Sequence, residues 1–183
     1  MTLEEVFVRC ADRLYALALR ITGVSEEAEA AIAQVLSLAP PTNRASAGAS
    51  ALERWLFLRV AKAAYARHRM RRRDVRPIVV DDVVPALDGQ GGHFNAIEDW
   101  SAQTNGQELP RGQHQALSAA IDALPPDSRA ALVLNDVERV AASDIAEILG
   151  LDVPAVKLHV HRARLFVRQR MSAHFAGARA VAS

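Results

Sequence analysis

The sequence has 183 residues, half of them hydrophobic and 23% charged, with a formal net charge of +1. That balance is globular, and no apolar run approaches the ~18 residues that a membrane-spanning helix needs. The N-terminus lacks the basic and apolar regions of a secretory signal, and the lone Cys10 excludes an intramolecular disulfide and a cysteine-rich zinc site. A cytoplasmic protein without membrane insertion is expected.

In chain order, Thr2 and Glu5 have capping-box spacing, and Leu3, Phe7, Cys10, Leu14, Leu17 and Ile21 recur at the helical period. Gly23 is placed to end this helix. Ser25 is placed to cap a second one, with Glu26 and Glu27 in its first turn, which must stop before Pro40 and Pro41. After a loop of small and polar residues, a third helix is predicted from Ala51 to about Arg73. Leu52, Trp55, Leu56, Leu58, Val60 and Ala61 form its apolar side.

Residues 74–112 are broken by Pro77, Pro85 and Pro110 and loosened by five glycines. So long an irregular stretch reads as a linker between domains, with Ile78 to Val84 either a short strand or a packed segment. Helix is expected again around Leu117 to Leu124, from Ala130 to Val137, and from about Asp144 to Leu149 with Ser143 as cap. A last helix follows Asp152 and runs from Val153 to about Phe175. The fold class is all-α. Two small helical domains, 1–73 and 113–183, are joined by the linker 74–112, and the second carries a helix-turn-helix.

The near-neutral total hides a pattern. Residues 1–73 hold twelve Arg and Lys against seven acids, a balance of +5, and 74–112 hold seven acids against two arginines, a balance of −5. From Val153 onward there are six basic residues and no acid. Basic ends flanking an acidic middle point to nucleic-acid contact at both ends.

The sharpest local signal is SDIAEILGLDVPAVKLHVHRAR, Ser143 to Arg164. Ala146 is small where two helices cross, Gly150 permits the tight turn, and Val156 belongs beneath the second helix, with Ile145, Leu149 and Leu151 completing the wedge. This is the helix-turn-helix pattern, whose second helix enters the major groove. An ordinary helical hairpin has the same spacing, but the acid-free second helix favours DNA. Lys157, His161, Arg164 and Arg168 share a face of it, with Arg162 beside them. A second basic run, RHRMRRR, ends the third helix at Arg69, Arg71, Arg72 and Arg73. Either a nearby polyanion or a solubilising helix end would account for it.

Cys10 reads as core, and His159 and His161, two apart, cannot share a metal. No phosphate loop, nucleophile elbow or paired carboxylate stands out, so neither catalysis nor a cofactor is expected.

The stretches A-L-P-P-D-S-R-A-A-L-V-L, I-A-E-I-L-G-L and V-K-L-H-V-H-R-A-R strongly resemble domain four of bacterial sigma factors, most of all the compact extracytoplasmic-function type. R-L-Y-A-L-A-L-R-I-T-G, E-E-A-E and W-L-F-L-R-V-A are similar to their domain two. The resemblance implies a transcription-initiation subunit. Its partners would be RNA polymerase core, promoter DNA and an anti-sigma factor. Domain two would bind the polymerase clamp through Glu27, Glu29, Ile32 and Gln34 and melt the downstream element. Domain four would read the upstream element through Lys157, His159, His161, Arg162 and Arg164. The chain departs from the family at Ala30, Ala31 and Ala33 in the clamp-binding stretch, and after Leu36, where S-L-A-P-P-T-N-R replaces an aromatic-rich continuation. A sigma-like regulator that binds polymerase or a partner without melting promoters, and a plain helix-turn-helix regulator, are the alternative readings.

Overall fold

The structure, a computed structural model, describes residues 2–38, 40, 48–79 and 111–181, with side chains as far as Ser172. Helix α1, Leu3–Thr22, opens on the expected capping box. Thr2 Oγ1 accepts from the Glu5 N–H at 3.2 Å, and the Glu5 carboxylate accepts from the Thr2 N–H at 2.9 Å. Gly23 ends it at φ 71°, a left-handed conformation that favours glycine.

Helix α2, Ser25–Leu36, is capped by the extended Val24 with no side-chain bond, so Ser25 lies inside the helix and is not its cap. Helix α3 runs Ala49–Arg71, starting two residues earlier than the apolar pattern indicates. Its buried residues, among them Leu52, Trp55, Leu56, Val60, Tyr65 and His68, do not form a single stripe. The reason is packing on two sides: α1 and α2 cover one flank of α3, while two helices of the C-terminal half cover another.

The C-terminal half begins with α4, Arg111–Asp122, whose first two residues lie within the stretch read as linker. Helix α5, Pro126–Leu132, starts with proline at its first position, where a missing N–H costs nothing, and continues as a π-helical turn over Val133–Val137. Helix α6, Ala142–Leu149, takes Ala141 as its N-cap, displacing Ser143 from that role. Gly150 turns the chain at φ 67° and Asp152 Oδ1 caps α7, accepting from the Ala155 N–H at 2.7 Å. Helix α7, Val153–Val181, is the longest element.

No strand occurs among the described residues, and no described helix is long and apolar enough to cross a membrane. Ile78 and Val79 are irregular, and 80–84 lie outside the described residues, as does the rest of the acidic stretch to 110.

The two halves share one apolar core. Val6, Leu14, Leu17 and Ile21 of α1 and Leu56 and Val60 of α3 belong to the same buried cluster as Leu134, Ile145, Leu149 and Val156. A second cluster, Leu124, Leu132, Ala163, Val167 and Met171, takes in Ile78 from the chain just beyond α3. A polar seam crosses between the halves. Arg20 pairs with Glu138 at 2.8 Å and Arg54 with Asp144 at 2.6 Å. Tyr65 Oη donates to Asp127 at 2.8 Å, and Arg72 donates to the Asp122 carbonyl at 2.6 Å.

Candidate nucleic-acid interface

Helices α6 and α7 form the expected helix-turn-helix. Ile145, Ala146, Leu149 and Val156 are buried at the crossing, and a 6→1 bond from the Leu151 N–H to the Ala146 carbonyl (3.0 Å) closes the turn. Val156, Val160 and Ala163 hold the inner side of α7 against the core. That leaves Pro154, Lys157, Leu158 and His161 exposed along its first turns, with Arg164 and Arg168 further along.

The basic residues of α7 differ in how freely they can meet a ligand. Lys157 and His161 extend into solvent. Arg164 lies flat against Asp136 of the π-helical turn, with Nε to Oδ2 at 2.9 Å and Nη2 to Oδ1 at 2.6 Å. This fork holds the Asp136 carboxyl below its usual range and raises the Arg164 guanidinium in turn. His159 turns inward, with Nδ1 3.1 Å from Ser128 Oγ; burial lowers its pKa, and it stands away from the outer face. Arg162 is half-buried, with its Nε sealed from solvent.

The arginine run is also divided. Arg71 donates to the Thr22 carbonyl at 3.0 Å and Arg72 reaches α4, so both tie protein to protein. Arg69 lies 3.5 Å from Tyr65 Oη, and Arg73 is exposed. These two flank a groove of about 450 Å³ between α3 and α6, with Lys62 on its rim and Met70, Ile148 and Leu149 on its wall. The four α2 residues occupy two faces. Glu27 and Gln34, seven apart, lie on one, and Glu29 and Ile32 lie on another. Glu27 is engaged by Arg67 at 3.1 Å, whereas Glu29 and Gln34 are exposed.

Sequence reasoning missed the centre of the seam. Arg129 of α5 is 4% exposed; its Nε donates to the Arg20 carbonyl at 2.9 Å and its Nη1 to Asp122 at 2.6 Å. A single arginine immediately before the apolar run A-A-L-V-L was the available signal. Beside it His68 is 1% exposed, and burial, reinforced by Arg129, Arg71 and Arg72, lowers its pKa to about 4. Cys10 is core: its thiol donates to the Val6 carbonyl at 3.1 Å and burial raises its pKa. No group of three or more potential metal ligands occurs among the described residues.

Residues 114–167, which contain α6, the turn and the first half of α7, match the family model for sigma-70, region 4. The chain is 26% identical over 163 residues to the extracytoplasmic-function (ECF) RNA polymerase sigma factor EcfG of Rhodopseudomonas palustris, covering 89% of this chain and 81% of that one. Residues 114–167 thus match sigma-70 region 4, and the chain as a whole is similar to sigma factors of the extracytoplasmic-function group.

A 40% identical match to the ECF sigma factor SigE of Mycolicibacterium smegmatis covers 58 residues, 32% of this chain and 23% of the relative. The fold is shared with the sigma factor RpoE of Bartonella quintana, solved in complex with the anti-sigma factor NepR. That likeness has TM-score 0.53 and 20% identity, and covers 92% of this chain and 95% of the other.

Proposed function

We propose that this chain is a sigma factor that binds RNA polymerase core and directs it to a small set of promoters, in the cytoplasm and without catalysing any reaction itself. The observation that carries this reading is the outer face of α7. A formed helix-turn-helix, within the region 4 match, holds Lys157, Leu158 and His161 out from the body of the protein with no acid on their helix. A groove-entering helix needs that arrangement. The unit 113–183 acts as the upstream-element reader, with Lys157 and Arg168 toward phosphates and His161 toward base edges. Arg162 and Arg164 contribute to the same surface only by leaving their present surroundings. His159 supports α7 from within.

The unit 1–73 binds the polymerase clamp through α2, with Glu29 and Gln34 exposed, Ile32 partly buried against the core, and Glu27 released from Arg67 on docking. Arg69 and Arg73 extend the basic surface toward DNA. An anti-sigma factor is the expected regulator, and the solved sigma–anti-sigma complex with the same fold supports that expectation.

In vitro transcription with purified core polymerase and genomic promoter fragments tests the reading. Specific run-off products that require this chain support it. Binding to core without run-off products selects the regulator that does not melt promoters, and DNA binding without core binding selects a plain helix-turn-helix regulator.

A further inference from the structure

Leu158 is 42% exposed and belongs to neither apolar cluster. Isolated exposed leucines are ordinary on protein surfaces, so exposure alone carries nothing. Its position is what matters. Leu158 is adjacent to Lys157 and three residues from His161, so the three side chains form one patch at the start of the helix whose early turns meet base edges. Their neighbours are committed elsewhere: Val156 and Val160 to the core, His159 to Ser128, and Arg164 to Asp136. Among the described large apolar side chains of α7, Leu158 is the one that stands this far out.

In the major groove the one apolar group that projects from a base edge is the thymine 5-methyl. A leucine offers no donor or acceptor. Pressed against guanine or cytosine it would strip water from O6, N7 or N4 and return nothing, whereas against thymine both partners bury hydrocarbon. We propose that Leu158 is a specificity-determining residue that reads a thymine methyl at one position of the upstream promoter element. The assignment rests on the reading of α7 as a groove-entering helix and adds to it a base identity and the group that is recognised.

The test begins with duplexes selected from a randomised library by the full chain in complex with core polymerase. Each thymine of a selected duplex is then replaced singly by deoxyuridine, which removes only the methyl. Burial of one such group corresponds to about fourfold in affinity. The expected result is one position where deoxyuridine weakens wild-type binding about fourfold, while Leu158→Ala binds the thymine and deoxyuridine duplexes equally. Lys157→Ala should retain the full deoxyuridine penalty while binding both duplexes more weakly. Specific selection with no methyl-sensitive position, or with sensitivity that persists in Leu158→Ala, overturns the assignment and leaves the groove-entering helix standing. Absence of any selected sequence overturns both.

Discussion

Arg129→Met is the most informative single change in the seam between the two halves. Methionine keeps much of the apolar stem but removes the guanidinium, and with it the bonds to the Arg20 carbonyl and to Asp122. The two bonds are not equal. Asp122 has a side chain 55% exposed and rehydrates when abandoned, so its pairing is worth at most about 1 kcal/mol. The Arg20 carbonyl is met in a site where Arg129 is 4% exposed, and a charge-assisted bond there contributes about 1.5–3 kcal/mol. Arg129→Met should therefore destabilise the full chain by about 2–3 kcal/mol, and Asp122→Asn by less than about 1 kcal/mol. Urea unfolding with an unchanged denaturant slope measures both. A cost below about 1 kcal/mol for Arg129→Met, or an equal cost for Asp122→Asn, refutes the partition.

His68 has a folded pKa of about 4 against an ordinary value near 6.5, so the unfolded chain binds more protons between those values. Its stabilising neutrality is fully present above the unfolded value. About 2 kcal/mol is lost as pH falls from 7.5 to 5, with His159 adding in the same direction, and unfolding of His68→Leu at the two pH values should show a shallower loss. Gly23→Ala forces φ 71° on a side chain and sets a Cβ 3.0 Å from Arg129 Nη2, so melting should fall by about 3–6 °C in calorimetry. Lys157→Ala should weaken all upstream-element duplexes alike and reduce the salt slope by about one unit. Arg170→Ala, whose guanidinium lies 5.0 Å from the Phe166 ring, should change neither. Equal weakening by the two would place the groove face elsewhere on α7.

Local chemistry made the helices legible. The Thr2–Glu5 box, Gly23 and Gly150 act within a few residues, and each appears where the pattern set it. Ser25 and Ser143 failed as caps for an equally local reason: the chain is already helical at both, and the extended residues before them have no side-chain acceptor. The site was legible as a helix face but not as a set of free groups. Whether Arg164 is available depends on Asp136, 28 residues away, and His159 faces inward because Ser128 lies beneath it, 31 residues away. Periodicity cannot report such pairings. The union of the two halves was invisible too, because the apolar residues of α3 read as one amphipathic side although two sets of neighbours cover them.

That union makes recruitment a competition. Under the proposed function the two units reach separate promoter elements, which their packed arrangement opposes, so polymerase would engage molecules in which α3 has parted from α5 and α6. If the packed form outnumbers the parted one a hundredfold, the apparent affinity for core falls by about the same factor. A substitution that loosens the seam without touching the binding faces should then tighten binding to core while lowering the stability of the free chain. On that reading the threshold for switching on transcription would be set partly by seam residues that meet neither DNA nor polymerase.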